Sequence, residues 1–269
     1  MGSEVIYSGQ SVPDDIADAL ARTGSRLGLF QQLLWHEEAG STNDIAMAAA
    51  ASGAPEGLIV AANAQSSGRG RHGRTWASPP GAGLYVSVVL HPRHRTQPLL
   101  TIAAGTAVAD GIEAATGLVA SLKWPNDVYI GARKLSGILA EAGPSAQGDH
   151  VVLGFGINVR PASLPPEVAV RATSIEGELG RSVDRGLLLA ECLASLARRY
   201  DTLQRGAHDD VISAWRARAA RHMGQPVEWD ERAGTRRGVA HDIDSSGALL
   251  VREGVRIVRI MSGEVRWLQ

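Results

Sequence analysis

Between Gln65 and Trp76 the chain reads Gln65-Ser66-Ser67-Gly68-Arg69-Gly70-Arg71-His72-Gly73-Arg74-Thr75-Trp76. Three glycines let a backbone approach a ligand closely, with its amides turned inward. Arg69, Arg71 and Arg74 add planar, permanently charged donors that match carboxylate or phosphate oxygens. Trp76 offers a ring for stacking. The glycines spell a formal GxGxxG, but their context excludes a dinucleotide fold, which opens a helix at the glycines and carries an acid about 20 positions later. Here Ser78-Pro79-Pro80-Gly81 follows, and no Asp or Glu occurs between Glu56 and Asp110. The HRD and DFG signatures of a kinase are missing too. What remains is a glycine-lined anion cradle or a solvated basic loop.

A second group is Lys123-Trp124-Pro125-Asn126-Asp127, followed by Lys134-Leu135-Ser136-Gly137-Ile138-Leu139. Pro125 disposes Trp124 to an extended conformation, and Asn126-Asp127 suits a turn. Asp127 either stabilises that turn or does chemistry. Lys134 opens an otherwise apolar strand, where an ammonium needs a reason. In a regular strand Lys134 and Gly137 lie on opposite faces, so both touch one ligand only if Gly137 acts through its backbone or a bulge intervenes. A third group is Gly154-Phe155-Gly156-Ile157-Asn158. Its glycines permit close approach of a backbone or ligand, and Asn158 could donate to a phosphate oxygen; taken alone, the segment reads as ordinary sheet packing.

The elements that must position these groups follow from periodicity. Helices are expected over 13–22, 41–52 (with Ser41 or Thr42 as N-cap), 101–116, 184–199 and 210–222. Strands are expected over 57–62, 84–90 and 151–159, with a hairpin of 128–130 and 134–141 joined through Gly131. After Met223 five short runs, 225–231, 236–243, 248–253, 255–261 and 264–268, have the rhythm of a small β-barrel leaning on the main domain. The resulting division is an N-terminal extension (1–30), a main domain (31–223) and a C-terminal domain (224–269).

With 44% hydrophobic and 20% charged residues the chain is a soluble globular type, and its net charge of −1 provides no general attraction to nucleic acid or anionic membrane. The single Cys192 excludes an intramolecular disulfide and a cysteine zinc finger; within its apolar run it reads as a buried, inert thiol. No metal site is expected: His91 and His94 straddle Pro92, His72 sits among arginines, and all three read as solvated. Without a signal-peptide pattern or an apolar run near eighteen residues, the expected location is cytoplasmic and no membrane span is expected. About 40 residues precede the first chemically interesting group, too few for a helix-turn-helix headpiece.

Taken together, the GRGRHGR–W loop, the KWPND turn, the KLSGIL strand, Ser41-Thr42-Asn43 and the GFGIN strand resemble the biotin protein ligases over about residues 36 to 268. The resemblance implies an α+β catalytic domain with a mixed sheet and packed helices, like that of class II aminoacyl-tRNA synthetases, followed by an SH3-like β-barrel. It implies activation of biotin by ATP with Mg²⁺, and transfer to a lysine of a biotin carboxyl carrier protein by a monomer or weak homodimer. Ser41, Thr42, Gln65 and the backbone at Gly68 and Arg69 would then hold biotin. Arg69 and Arg71 would meet the carboxylate and phosphates, Arg74 and Asn126 would join the nucleotide site, and Trp76 would stack beside adenine. Lys134 would bridge the biotin carboxylate and α-phosphate, Gly137 would approach biotin by its backbone, and Asn158 would contact phosphate. Asp127 is a candidate for positioning the incoming lysine or a metal. Ser66-Ser67 and Ser136 stand where the family often has alanine-like residues, which alters no role. The alternative is lipoate or octanoate transfer, chemistry on a related fold; a lipoyl tail wants an apolar slot, whereas a ureido ring wants several polar partners. A nucleic-acid-binding module is disfavoured by the charge and by the lack of basic stretches interleaved with aromatics.

Overall fold

The computed structural model describes residues 5–93, 97–144, 150–162, 164–231, 234–261, 263 and 265–268. Eight strands form one mixed sheet: β1 (Ile6–Gly9), β2 (Gln32–Ala39), β3 (Leu58–Gln65), β4 (Gly83–Leu90), β5 (Ser121–Lys123), β6 (Asp127–Ile130), β7 (Arg133–Gly143) and β8 (His150–Asn158). Their spatial order is β1-β2-β3-β4-β8-β7-β6-β5. The β1–β2–β3 ladders are parallel and the others antiparallel. All of β4 is buried, as expected of a central strand covered on both faces.

Helix α1 (Asp14–Thr23) packs on the later helix α6 (Arg185–Gln204); α2 (Thr42–Ala51) covers β3, β4 and β8. On the opposite face α3 (Gln97–Thr116) packs against β7, α6 and α7 (His208–Ala219), while α4 (Pro166–Ala169) and α5 (Ile175–Leu179) are single turns in the connection after β8. Gly111 of α3 lets the two long helices touch, since a Cβ there would sit 2.5 Å from the Cys192 backbone. Cys192 is 1% exposed and burial pushes its thiol pKa well up, so it is inert as expected. Among the described residues α3 is the one helix long and apolar enough to cross a membrane, and 72% of that stretch is buried inside the fold.

Asp110 of α3 ties this layer together by accepting from Arg199 of α6 (2.8 Å) and Arg218 of α7 (2.9 Å). Asp110→Ala leaves two half-buried guanidinium groups short of an acceptor, and a loss of about 2 kcal/mol is expected. A urea midpoint equal to the parent's would show that Glu113, which also bonds Arg218, carries the contact alone.

The segment set apart above as an N-terminal extension is instead woven into the main unit. β1 adds the edge strand beside β2, and Ile16, Leu20, Leu27 and Phe30 are fully buried. The reason is that α1 has a single apolar face, which only the side of α6 can remove from water. β2 is a further strand beyond those expected from periodicity, with Leu33 and Trp35 alternating inward along it. His91 is half-buried with its Nε2 enclosed, not solvated; His94 lies outside the described residues.

The C-terminal strands β9 (Pro226–Glu231), β10 (Gly234–Ile243), β11 (Leu249–Glu253), β12 (Arg256–Ile260) and β13 (Val265–Trp267) form an antiparallel sheet in the order β12-β11-β10-β9-β13. Each falls within or beside an expected run, except that Glu264 lies outside the described residues. This SH3-like unit leans on the main domain through Trp124, whose indole Nε1 donates to the Gly247 carbonyl at 2.9 Å. Arg216 of α7 adds bonds to Asp242 and to the Ile243 carbonyl.

Candidate active site

Every predicted site residue except Gly68 lines one cleft of about 510 Å³, formed by the β3–β4 loop, β6, β7, β8 and the start of α2. That size suits a small-molecule site. Gly68 packs inside its own loop, where a Cβ would meet the Trp76 carbonyl at 2.5 Å and the Ser78 hydroxyl at 2.8 Å. The glycine–arginine segment is folded rather than a free loop: Trp76 N–H donates to the Gly68 carbonyl (2.9 Å) and Gly70 N–H to that of Arg74 (2.7 Å).

One end of the cleft is neutral and rich in hydrogen bonds. Ser41 occupies the N-cap position of α2, yet its side chain makes no capping bond; it borders the cleft instead. The Thr42 amide and hydroxyl both donate to Gln65 Oε1 (2.8 and 3.1 Å), and Gln65 Nε2 donates to Ser78 Oγ (2.9 Å). Ser87 Oγ donates to Asn43 Oδ1 (2.6 Å) and sits 2.8 Å from Thr42 Oγ1. Asn43 Nδ2 in turn donates to Glu141 (2.6 Å). Such a chain sets each polar group before any ligand arrives. Asn43, Ser87 and Glu141 were not among the predicted site residues. The signal for Ser87 is the one that exposed Lys134: a polar side chain in an otherwise apolar strand.

The other end is cationic. Lys134 Nζ lies 2.6 Å from Asp127 Oδ1 and 5.5 Å from the Trp76 ring centre. A bulge resolves the parity problem of the KLSG strand. The β6–β7 register passes from Val128↔Ser136 to Tyr129↔Lys134, skipping Leu135. Lys134 and Gly137 therefore share a face, and a Cβ on Gly137 would sit 3.3 Å from Lys134 Nζ. The Lys134 backbone is held on its other side by the Arg171 carbonyl and Thr173 amide (2.8 and 2.9 Å).

Gly137 and Gly156 are partners across β7 and β8, and the bare patch they make receives the Trp76 indole. The GFGIN strand is thus more than routine sheet packing: Gly156 makes room for Trp76 and Gly154 for Asn43.

The loop arginines divide. Arg69 turns toward the neutral end and pairs with Asp44 and with Glu141 (2.9 Å). Arg71 points across the cleft, where Nη2 donates to the Gly263 carbonyl of the C-terminal domain at 3.3 Å. Burial lowers the Arg71 pKa, Asp127 opposes that shift, and Arg74 adds to it. Asn126 and Asn158 each spend an amide hydrogen locally: Asn126 Nδ2 bonds the Ile138 carbonyl (2.7 Å) and Asn158 Nδ2 that of Thr173 (3.0 Å). Among the described residues no three His, Cys, Asp or Glu side chains converge as a metal site would require.

The Biotin/lipoate A/B protein ligase family profile matches residues 39–158, and the Biotin protein ligase C terminal domain profile matches 222–266. A biotin–[acetyl-CoA-carboxylase] ligase of Mycobacterium tuberculosis is 36% identical over 258 residues, with 93% of each chain covered. The chain belongs to the biotin protein ligase family. A bifunctional ligase/repressor BirA of Bacillus subtilis is 33% identical over 261 residues, covering 94% of this chain and 79% of that one. The structure of an Aquifex aeolicus biotin protein ligase in complex with biotin and ATP superposes with a TM-score of 0.79 at 29% identity, covering 89% of this chain and 100% of the other. The ligase fold thus spans both units, the mixed catalytic sheet and the SH3-like sheet that follows it in the chain.

Proposed function

We propose that the cleft joins biotin to ATP through the residues just described and then presents the acyl group to a lysine of a biotin carboxyl carrier protein. As a biotin protein ligase the chain biotinylates its carrier through biotinyl-AMP. The observation that supports this division of labour is one cleft with a prearranged neutral end and a cationic end. Ser41, Thr42 and Gln65 take the ureido ring, whose donors and acceptors need fixed partners; Asn43 and Ser87 hold those partners still. The valeryl tail runs past Gly137 toward Lys134.

In the first step a biotin carboxylate oxygen attacks the α-phosphorus of ATP and pyrophosphate leaves. Two anions about 4 Å apart repel by roughly 4 kcal/mol at an effective dielectric near 20. Lys134, Arg71 and, once it swings from Asp44 and Glu141, Arg69 offset that repulsion and the charge that builds on phosphorus. Trp76 stacks beside the adenine, with Arg74, Asn126 and Asn158 around the nucleotide. Mg²⁺, which would neutralise phosphate charge, is best carried in by the nucleotide's own oxygens, because Asp127, a carboxylate of the cleft, stands between two lysines, Lys134 at 2.6 Å and its cross-strand partner Lys123. In the second step the carrier amine attacks the acyl carbon, AMP departs with the bonding electrons, and the amine's proton is lost; Asp127 positions that amine.

Gly154→Ala tests the neutral end. The new Cβ overlaps Asn43 and breaks its bonds to Ser87 and Glu141, so KM for biotin is expected to rise about tenfold with little change in kcat. An unaltered KM would remove this network from biotin recognition. The reading as a whole is tested by incubating the protein with Mg-ATP, a carrier domain, and biotin, lipoate or octanoate as the only acid. Covalent biotin on the carrier is expected, with no lipoyl or octanoyl product. Acylation by lipoate or octanoate without biotinylation would overturn it in favour of the rival acid.

A further inference from the structure

Lysine is scarce in this chain: of its 27 basic residues only Lys123 and Lys134 are lysine. Ion pairs elsewhere, such as Arg26–Glu191 and Arg216–Asp242, use arginine. Both lysines flank Asp127. Lys134 reaches it from β7 at 2.6 Å, while Lys123 is its cross-strand partner on β5. Yet Lys123 makes no ion pair among the described residues. Its ammonium rests on two rings, 4.9 Å from the centre of Tyr129 and 5.4 Å from that of Trp267 in the C-terminal strand β13. His222 closes the box, edge-on to both rings. Burial, with Lys123 and Arg221 nearby, holds the His222 pKa down at about 4, so near neutral pH Lys123 is the only charged member of the box.

The arrangement has a purpose once Lys134 must leave. Asp127 is 24% exposed, and a partly buried carboxylate that loses its cation is costly. It would compete with the substrate for Lys134. We infer that Lys123 is a positioning residue, a waiting counter-ion that takes over Asp127 when Lys134 turns to the biotin carboxylate and α-phosphate. This rests on the ligase reading of the cleft. A cation–π contact is weaker than a close ion pair, so Lys123 is held without being trapped. Lysine suits the task because its compact ammonium can swing on a flexible stem, whereas a guanidinium fork is fixed in shape. Like-charge repulsion between the two ammonium groups also favours the departure of Lys134. Because Trp267 is one wall of the box, the C-terminal domain reaches the chemistry through Lys123.

The test is biotin-dependent exchange of labelled pyrophosphate into ATP, with kcat and the biotin KM measured on the full chain. Lys123→Met keeps the stem and removes the charge; it is expected to lower kcat about tenfold while leaving KM within about twofold. In an Asp127→Asn background, where no carboxylate competes for Lys134, the same change is expected to cost less than about twofold. Trp267→Leu, which keeps the charge and removes a wall, is expected to lower kcat in the same Asp127-dependent way. An unchanged kcat in Lys123→Met, or an equal loss with and without the Asp127 carboxylate, overturns the inference and leaves the ligase reading intact. No exchange by the parent chain overturns both.

Discussion

Lys134→Ala is expected to lower biotin-dependent pyrophosphate exchange by about a hundredfold or more, the usual cost of losing one preorganised donor to developing charge. The ammonium is held for this purpose by three independent features. The Leu135 bulge turns it to the face of Gly137, the Arg171–Thr173 segment fixes its backbone, and Asp127 holds it 2.6 Å away until substrate competes. The loss should fall on kcat more than on the biotin KM, because the neutral end that grips the ureido ring is untouched. Lys134→Arg should recover little, since a planar fork does not fit the slot beside Gly137, where even a Cβ on the glycine would sit 3.3 Å from the lysine Nζ. Near-parental exchange in the alanine variant would remove Lys134 from the chemistry.

The second large effect is expected on retention of the intermediate. Arg71 crosses the cleft from the glycine loop to the Gly263 carbonyl and is partly withdrawn from water. Closing the loop over biotinyl-AMP, a mixed anhydride that water destroys, is the natural work of such a strap. Arg71→Gly removes the strap and restores backbone freedom at that point. Release of biotinyl-AMP should accelerate about ten- to hundredfold, the range for one hydrogen bond to a charged group. The readout is biotin appearing on a lysine-rich bystander protein added to the mixture. The ligase itself makes a low background, because Lys123 and Lys134 are its only lysines. Retention equal to the parent's would rule out the lid.

Much of the site was legible because its chemistry is local in sequence. A run of arginines between glycines, and an ammonium opening an apolar strand, are costly unless something anionic repays them, and both lead into the same cleft. The parity of Lys134 and Gly137 posed a definite question that the bulge at Leu135 answers. Other features were hidden because their partners are far along the chain. Asn43 acquires its role only when Ser87 and Glu141 arrive from other strands. Gly154 and Gly156 look like sheet glycines until Asn43 and Trp76 fill the spaces they leave. β1 and α1 read as an appendage because an edge strand and a one-sided helix declare no partner.

By itself, then, the order of residues determined the family, the two-part architecture and about a dozen of the residues that line the cleft. Periodicity and charge are written along the chain and survive without coordinates. Tertiary structure alone decided which way each cation points: Arg69 toward Asp44 and Glu141, Arg71 toward the C-terminal domain, Lys134 onto Asp127, and Lys123 between two rings. The physical reason is that an ion pair or a cation–π contact depends on distance through space, and β-sheet register, not sequence separation, sets that distance.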